Sequence, residues 1–203
     1  MILAALTLQA AAPPSAVDAE RAFNAAAQAK GQWTAFRAFA AEDATMFVPQ
    51  PVQAQAWLKD RKDPPKSIEW WPIESHVSCD GKFAVNTGGW KLPEGRVGFF
   101  STVWRREAEG GWKWTVDSGE LIETARHRPA EPNLRRASCA GKPVQPPRFG
   151  YREGPSESGA SPDGTLAWHW HVSSSGARRF LAWIWDGKAL VQVIDDKIAA
   201  SGK

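Results

Sequence analysis

The sequence has little of what marks several common classes of protein. After its first residues it has no apolar run close to the roughly 20 residues that a membrane-spanning helix needs. Its 25 lysines and arginines are scattered and nearly balanced by 22 acidic residues, so the clustered basic face of a nucleic-acid-binding protein is missing. A glycine-rich phosphate loop, a nucleophile elbow and a metal-ligand cluster are also missing. We therefore expect no membrane span, no nucleic-acid partner, no metal and no cofactor.

Cysteine is scarce, and whether its two residues form a disulfide depends on whether the chain is exported. An apolar run over residues 2–8, followed by alanines and Pro13, is typical of a signal peptide cleaved near residue 12; the alternative is an alanine-rich tail. In an exported chain Cys79 and Cys139 are expected to form a disulfide, which would stabilise the fold by about 4 kcal/mol. The alternative is two separately buried thiols. We predict a periplasmic or secreted protein.

The first third of the chain predicts three helices. Ser15 can cap a helix that runs to residue 30, with Asp18 at the third position after the cap and Gly31 ending it. A second short helix places apolar side chains on one side, and a third occupies residues 52–59. The apolar positions of the first two helices are Ala19, Ala22, Phe23, Ala26, Trp33, Phe36, Phe39 and Ala40.

From residue 67 the apolar period changes to two, which predicts strands at residues 67–78, 82–92, 95–107 and 111–119. The links between them contain glycine, as turns do. Helices followed by a meander of long strands indicate an α+β fold, in which the helices pack on one face of an antiparallel sheet. A strongly bent sheet of this kind leaves a cavity between its concave face and the helices.

The last third divides into an irregular segment and a second group of strands. Residues 126–163 are rich in proline, glycine and charge and show no apolar period, so they are interpreted as a linker. Strands follow at residues 165–172, 178–185 and 189–195 and form a meander too small to be stable alone. The predicted organisation is a signal peptide (1–12), a main domain (13–128), a linker (129–163) and a β extension (164–203). The face expected to pack on another surface carries Trp168, Trp170, Phe180, Ala182 and Ile184.

The most specific motifs lie at the end of the predicted main sheet. They read Val103-Trp104-Arg105-Arg106, Gly111-Trp112-Lys113 and Asp117-Ser118-Gly119. Over about residues 17–124 the chain resembles the SnoaL-like branch of the nuclear transport factor two-like superfamily. The resemblance implies a cone of three N-terminal helices on a curved antiparallel sheet. The C-terminal three-stranded β extension is predicted from the residue pattern alone and has no counterpart in the family. That superfamily includes ketosteroid isomerases, cyclases, dehydratases and non-catalytic binding or dimerisation modules, so the fold does not specify a function.

Isomerase chemistry of the family's kind needs a carboxylate or histidine base and a hydrogen-bond donor for the developing oxyanion. The single tyrosine, Tyr151, lies outside the region of resemblance, and phenylalanines stand where related sequences often carry a tyrosine. Asp117 and His76 are the remaining acid–base candidates. Strand alternation from Trp114 directs Asp117 outward or to the rim, which favours a structural role. His76 is interpreted as a surface residue.

The aromatic strands offer two interpretations, a cavity lining or a filled core. The candidate ligand-contacting residues are Trp90, Phe100, Thr102, Trp104, Trp112 and Trp114. His169 and His171 share one face of a strand and could ligate a metal, although the simpler interpretation is that they face water. We predict a non-catalytic binding module for a small hydrophobic or aromatic molecule. The alternatives are an isomerase, cyclase or dehydratase, and a structural homodimer paired through its sheets.

Overall fold

The computed structural model describes residues 15–144 and 154–200, so the predicted signal peptide and Tyr151 lie outside the described residues. Helix α1 spans Ala16–Lys30, α2 spans Gln32–Phe39 and α3 spans Ala54–Leu58. The start of α1 is fixed by a reciprocal capping box, in which Ser15 and Asp18 each bond the other's backbone N–H. Among these described residues no helix is long and apolar enough to cross a membrane.

A seven-stranded sheet lies against the helices. Its strands are β1 (Ala40–Phe47), β2 (Pro51–Gln53), β3 (Glu69–Val77), β4 (Phe83–Lys91), β5 (Val97–Arg106), β6 (Trp112–Ile122) and β7 (Asn133–Arg136), in the spatial order β2-β1-β6-β5-β4-β3-β7. The sheet is mixed rather than antiparallel, because β1 runs parallel to β6 and β7 runs parallel to β3. The antiparallel prediction is therefore corrected at these two strands, which the period-two pattern did not reveal.

A second sheet is formed by β8 (Ser156–Ala160), β9 (Leu166–Val172), β10 (Arg178–Trp185) and β11 (Leu190–Ile198), in the order β11-β10-β9-β8. It has four strands where the sequence predicts three. The extra strand β8, like β7, lies within the segment interpreted as a linker. Both strands are almost wholly exposed, so neither has a buried face. Their sequences therefore lack the alternation of apolar and polar residues by which a strand is predicted.

The two faces of the first sheet are covered by different elements. The helix side carries Ala84, Phe100, Trp104 and Trp114, which pack with Phe23 and Phe36 in one core. The opposite side carries Val85, Val103 and Val116, which pack against the second sheet. The side chains of the second sheet in that interface include Trp168, Trp170, Phe180, Ala182 and Ile184. The first sheet is thus the middle layer of three.

A disulfide fastens the two sheets near the turn between β3 and β4. Cys79 and Cys139 are bonded, with their Cα atoms 5.3 Å apart. The backbone N–H of Cys79 donates to Thr165 Oγ1 (2.8 Å), just before strand β9 of the second sheet, and the N–H of Ser138 donates to the carbonyl of Trp185 (2.8 Å) at the end of β10. The segment that holds Cys139 is therefore bonded to both sheets.

Candidate functional site

A cavity of about 190 Å³ lies between helices α1 and α2 and the concave face of the first sheet. Seven aromatic rings contribute to its wall, together with three aliphatic side chains and a few polar groups. The apolar lining consists of Phe23, Trp33, Phe36, Met46, Phe47, Val48, Ile68, Trp70, Trp90 and Phe100. The polar lining consists of Glu20, Gln32, Thr102, Asp117 and Ser118, and Gly119 completes the wall.

Asp117 faces this cavity, contrary to the outward orientation that simple alternation predicts. The pairing of β5 with β6 matches Trp104 with Trp114 but Val103 with Val116, so Thr115 is an extra residue in β6. Such a bulge reverses the alternation beyond it. Val116 consequently points to the second sheet, and Asp117 returns to the same side as Trp114.

The Asp117 carboxylate is held by one hydroxyl and is largely removed from water. Thr102, its direct partner on β5, donates its hydroxyl to Oδ1 at 2.7 Å. Burial raises the pKa of Asp117 to about 6, and the Thr102 hydrogen bond opposes this rise only in part. At neutral pH the carboxyl group is therefore mostly ionised, but its pKa is close enough to the pH for it to gain and lose a proton.

Glu20 is the second carboxyl group of the cavity, and the sequence analysis did not identify it. It lies on the buried face of α1, and only 1% of its surface is exposed. Its Oε1 accepts a hydrogen bond from Trp70 Nε1 (2.9 Å). Its Oε2 accepts from Trp104 Nε1 (2.7 Å) and from Asn86 Nδ2 (3.2 Å).

The protonation of Glu20 is set by competing causes. Burial raises its pKa to about 7, the negative charge of Asp117 adds to the rise, and the three N–H donors oppose it. A sequence signal for this residue did exist. Glu20 falls four positions after Ala16 and three before Phe23, so it interrupts an otherwise apolar stripe of the helix.

The six predicted ligand-contacting residues separate into two groups in the structure. Trp90, Phe100 and Thr102 line the cavity. Trp104 and Trp114 have no exposed surface and, with Trp112, belong to the core behind the cavity wall. Trp104 still acts on the site, because its indole N–H bonds Glu20.

Trp90 has a defined position over the backbone of a neighbouring strand. Its Nε1 donates to the carbonyl of Phe99 (2.9 Å), and its ring lies against Gly98. A Cβ atom at Gly98 would lie 2.0 Å from the Trp90 ring, so glycine is required for this approach.

The histidine candidates lie away from the cavity. His76 is 4% exposed and lies between the two sheets rather than at the surface, because its β4 partner Val85 faces the second sheet. Its Nε2 is 3.2 Å from a Glu74 oxygen, and burial lowers the pKa of His76 despite that neighbour.

The second sheet buries one of its two histidines, which corrects the expectation that both face water. His169 is 4% exposed, its Nδ1 is 2.7 Å from the hydroxyl of Ser158, and its ring stacks on His171 at 5.8 Å. Burial is the main cause that lowers the pKa of His169 to about 4. No group of three or more His, Cys, Asp or Glu side chains in the described ranges could hold a metal ion.

Comparison with solved structures finds partial likenesses, two of which are described below. No protein-family model matches the chain, and no curated protein matches it in sequence. One similar structure is a provisionally assigned ketosteroid isomerase from Parabacteroides distasonis, with a TM-score of 0.43 and 18% identity over 59% of this chain and 94% of that one. Another is a provisionally assigned aromatic ring hydroxylase from Novosphingobium aromaticivorans, with a TM-score of 0.38 and 15% identity over 54% of this chain and 87% of that one.

These TM-scores and identities are too low to say what the chain binds or catalyses. The architecture itself is informative at the level of fold. Helices packed on the concave face of a large, curved, mixed sheet, with a cavity between the layers, make this an α+β protein.

Proposed function

We propose that the protein binds a small, mostly apolar molecule in the cavity between α1, α2 and the first sheet. The observation that carries the proposal is the lining, in which seven aromatic rings surround a few polar groups. Small-molecule sites are characteristically concave and apolar, with a small number of placed polar groups that orient the ligand.

The volume limits the ligand. Sites for drug-sized molecules measure roughly 300–1,000 Å³, and an apolar cavity of about 150 Å³ accepts benzene. At about 190 Å³ the cavity suits a single ring with a short substituent and is too small for a four-ring steroid.

Calorimetric titration with benzyl alcohol tests this proposal. Replacing Val48 by Phe adds volume inside the cavity, and we expect it to weaken binding at least about tenfold, a change of about 1.4 kcal/mol. Val52→Phe is the matched control, since Val52 packs on the same core but does not line the cavity. Equal weakening by both variants, or no binding of benzyl alcohol, benzylamine or benzoate by the unmodified protein, would reject the proposal.

Proton transfer by Asp117 is a second candidate function, favoured by one observation. The carboxylate lines an apolar cavity and its pKa is about 6, close to the working pH of an effective general base. Deuterium exchange at the α-carbon of cyclohexanone, followed by NMR, tests it. Exchange that the protein accelerates and that Asp117→Asn abolishes supports catalysis. Exchange at the rate of the buffer rejects catalysis and leaves the binding proposal standing.

Pairing of two copies through the outer face of the first sheet has no support in the structure. Val85, Val103 and Val116, which would have to meet a partner there, are already covered by the chain's own second sheet. A homodimer would therefore have to use another surface.

We also propose that the protein works in an oxidising compartment, the periplasm or the exterior of the cell. The Cys79–Cys139 disulfide supports this, since such bonds persist where thiols are not kept reduced. Mass spectrometry of the protein from its native host would test the proposal, and a mature chain that retains Met1 together with free thiols would contradict it.

A further inference from the structure

The charge of the cavity is one-sided. Its lining includes two carboxyl groups, Glu20 from α1 and Asp117 from β6, and none of the described residues that line it is Lys, Arg or His. Arg178 of β10 comes near from outside, with its guanidinium 5.4 Å from the Phe47 ring, but Glu120 neutralises it at 2.7 Å. An anionic ligand would therefore be repelled without any compensating cation.

Both carboxyl groups retain capacity for a ligand. Asp117 uses Oδ1 for the Thr102 hydroxyl, and no donor among the described residues bonds its Oδ2. Glu20 accepts three N–H groups, whereas a carboxylate offers about four acceptor positions. The cavity therefore offers free hydrogen-bond acceptors, so a ligand that satisfies them must carry a hydrogen-bond donor.

The aromatic walls favour a donor that carries positive charge. The face of an aromatic ring is negative, and cages of such rings are a recurrent way of binding ammonium groups. Phe23, Trp70 and Trp90 contribute rings to the same cavity that holds the two carboxyl groups. A cation placed here would be attracted both by the negative faces of the rings and by the carboxylates.

We propose that the ligand of this cavity is a small amine, with an ammonium group directed to Asp117 and Glu20 and an apolar or single-ring body held by the aromatic walls. The inference rests on the proposed binding function and adds the chemical class of the ligand. A neutral alcohol could occupy the same space, but it would satisfy fewer acceptors and would not gain from the ring faces.

Three compounds of nearly equal size separate the possibilities. Benzylamine, benzyl alcohol and benzoate share one ring and differ in charge. In calorimetric titrations at pH 7.5 we expect benzylamine to bind about 10- to 100-fold more tightly than benzyl alcohol, the usual gain of a charge-assisted hydrogen bond. Benzoate should show no measurable binding.

Variants show whether the carboxylate is the cause. Asp117→Asn should reduce the ratio of benzylamine to benzyl alcohol affinity toward one. Glu123→Gln, which removes an exposed charge outside the cavity, should leave that ratio unchanged.

The outcomes are distinct. Equal binding of benzylamine and benzyl alcohol by the unmodified protein overturns the amine inference and leaves the binding function standing. Tighter binding of benzoate also overturns the inference. Binding of none of the three rejects the binding function itself, and the inference with it.

Discussion

The buried carboxyl group of Glu20 should make the stability of the fold depend on pH in a predictable direction. Its pKa is raised from 4.5 to about 7 in the folded protein. A carboxyl whose pKa is raised on folding stabilises the native state fully below the unfolded value, and that stabilisation is lost as the pH rises through the folded value. The window therefore runs from about pH 4.5 to pH 7, with a magnitude of about 3 kcal/mol.

Urea unfolding of the native chain and of Glu20→Gln, at several values between pH 4.5 and pH 8, measures this contribution. Glutamine has no titrating proton. The unfolding free energy of the native chain minus that of the variant should therefore fall by about 3 kcal/mol as the pH rises through the window. At pH 4.5 Glu20 is protonated, so it and the glutamine are both neutral and each offers one full acceptor oxygen to the three N–H donors; the two chains should then be close in stability, and the variant should be the more stable one at pH 8.

A matched control separates this effect from general charge. Glu131→Gln removes a carboxylate that is 78% exposed and pairs with Arg21 at 2.7 Å, so its difference from the native chain should hardly vary over the same range. If the Glu20→Gln difference were equally flat, Glu20 would be ionised throughout, and the reasoning from burial would be refuted.

Three further variants test other features. Gly98→Ala should displace the Trp90 ring, which would lie 2.0 Å from the new methyl, and should lower the melting temperature and shift tryptophan fluorescence. Replacing both Cys79 and Cys139 by alanine should lower the unfolding free energy by about 4 kcal/mol in urea titrations. Phe180→Ala, at a side chain 1% exposed between the sheets, should cost about 3–5 kcal/mol by the same assay.

Each of these has a contrary result. Unchanged fluorescence and melting temperature in Gly98→Ala would mean that Trp90 does not lie on the strand. Equal stability of the cysteine double variant and the native chain under oxidising conditions would mean that the bond adds nothing. A loss below about 1 kcal/mol in Phe180→Ala would mean that the second sheet is not firmly packed on the first.

Sequence reasoning succeeded where a local pattern has a local cause. Ser15 and Asp18 form the capping box that their spacing predicts, and Gly31 follows α1 with a φ of 108°. The glycine-containing links between the main strands fall where the chain turns, and Gly81 and Gly95 have positive φ as such turns require. Those features depend on residues close in the chain, so a single sequence contains them.

The cavity was less predictable because its polar groups depend on distant pairing. One extra residue, Thr115, decides which way Asp117 faces, and the bulge is defined only by the register against β5. Glu20 is buried because three donors from separate strands converge on it, and sequence spacing does not show their convergence. The alternation rule therefore placed Asp117 on the wrong side, and Glu20 was not considered.

The second sheet has a consequence for how the outer face of the first sheet responds to dilution. When a second subunit covers such a face, the subunit dissociates at low concentration, and the melting temperature of the protein then varies with protein concentration. Here the second sheet belongs to the same chain, so its packing on the first sheet is intramolecular and does not weaken on dilution. The Cys79–Cys139 bond ties the start of the connecting segment to the first sheet, and Val85, Val103 and Val116 stay covered however dilute the protein becomes because their cover is part of the same chain.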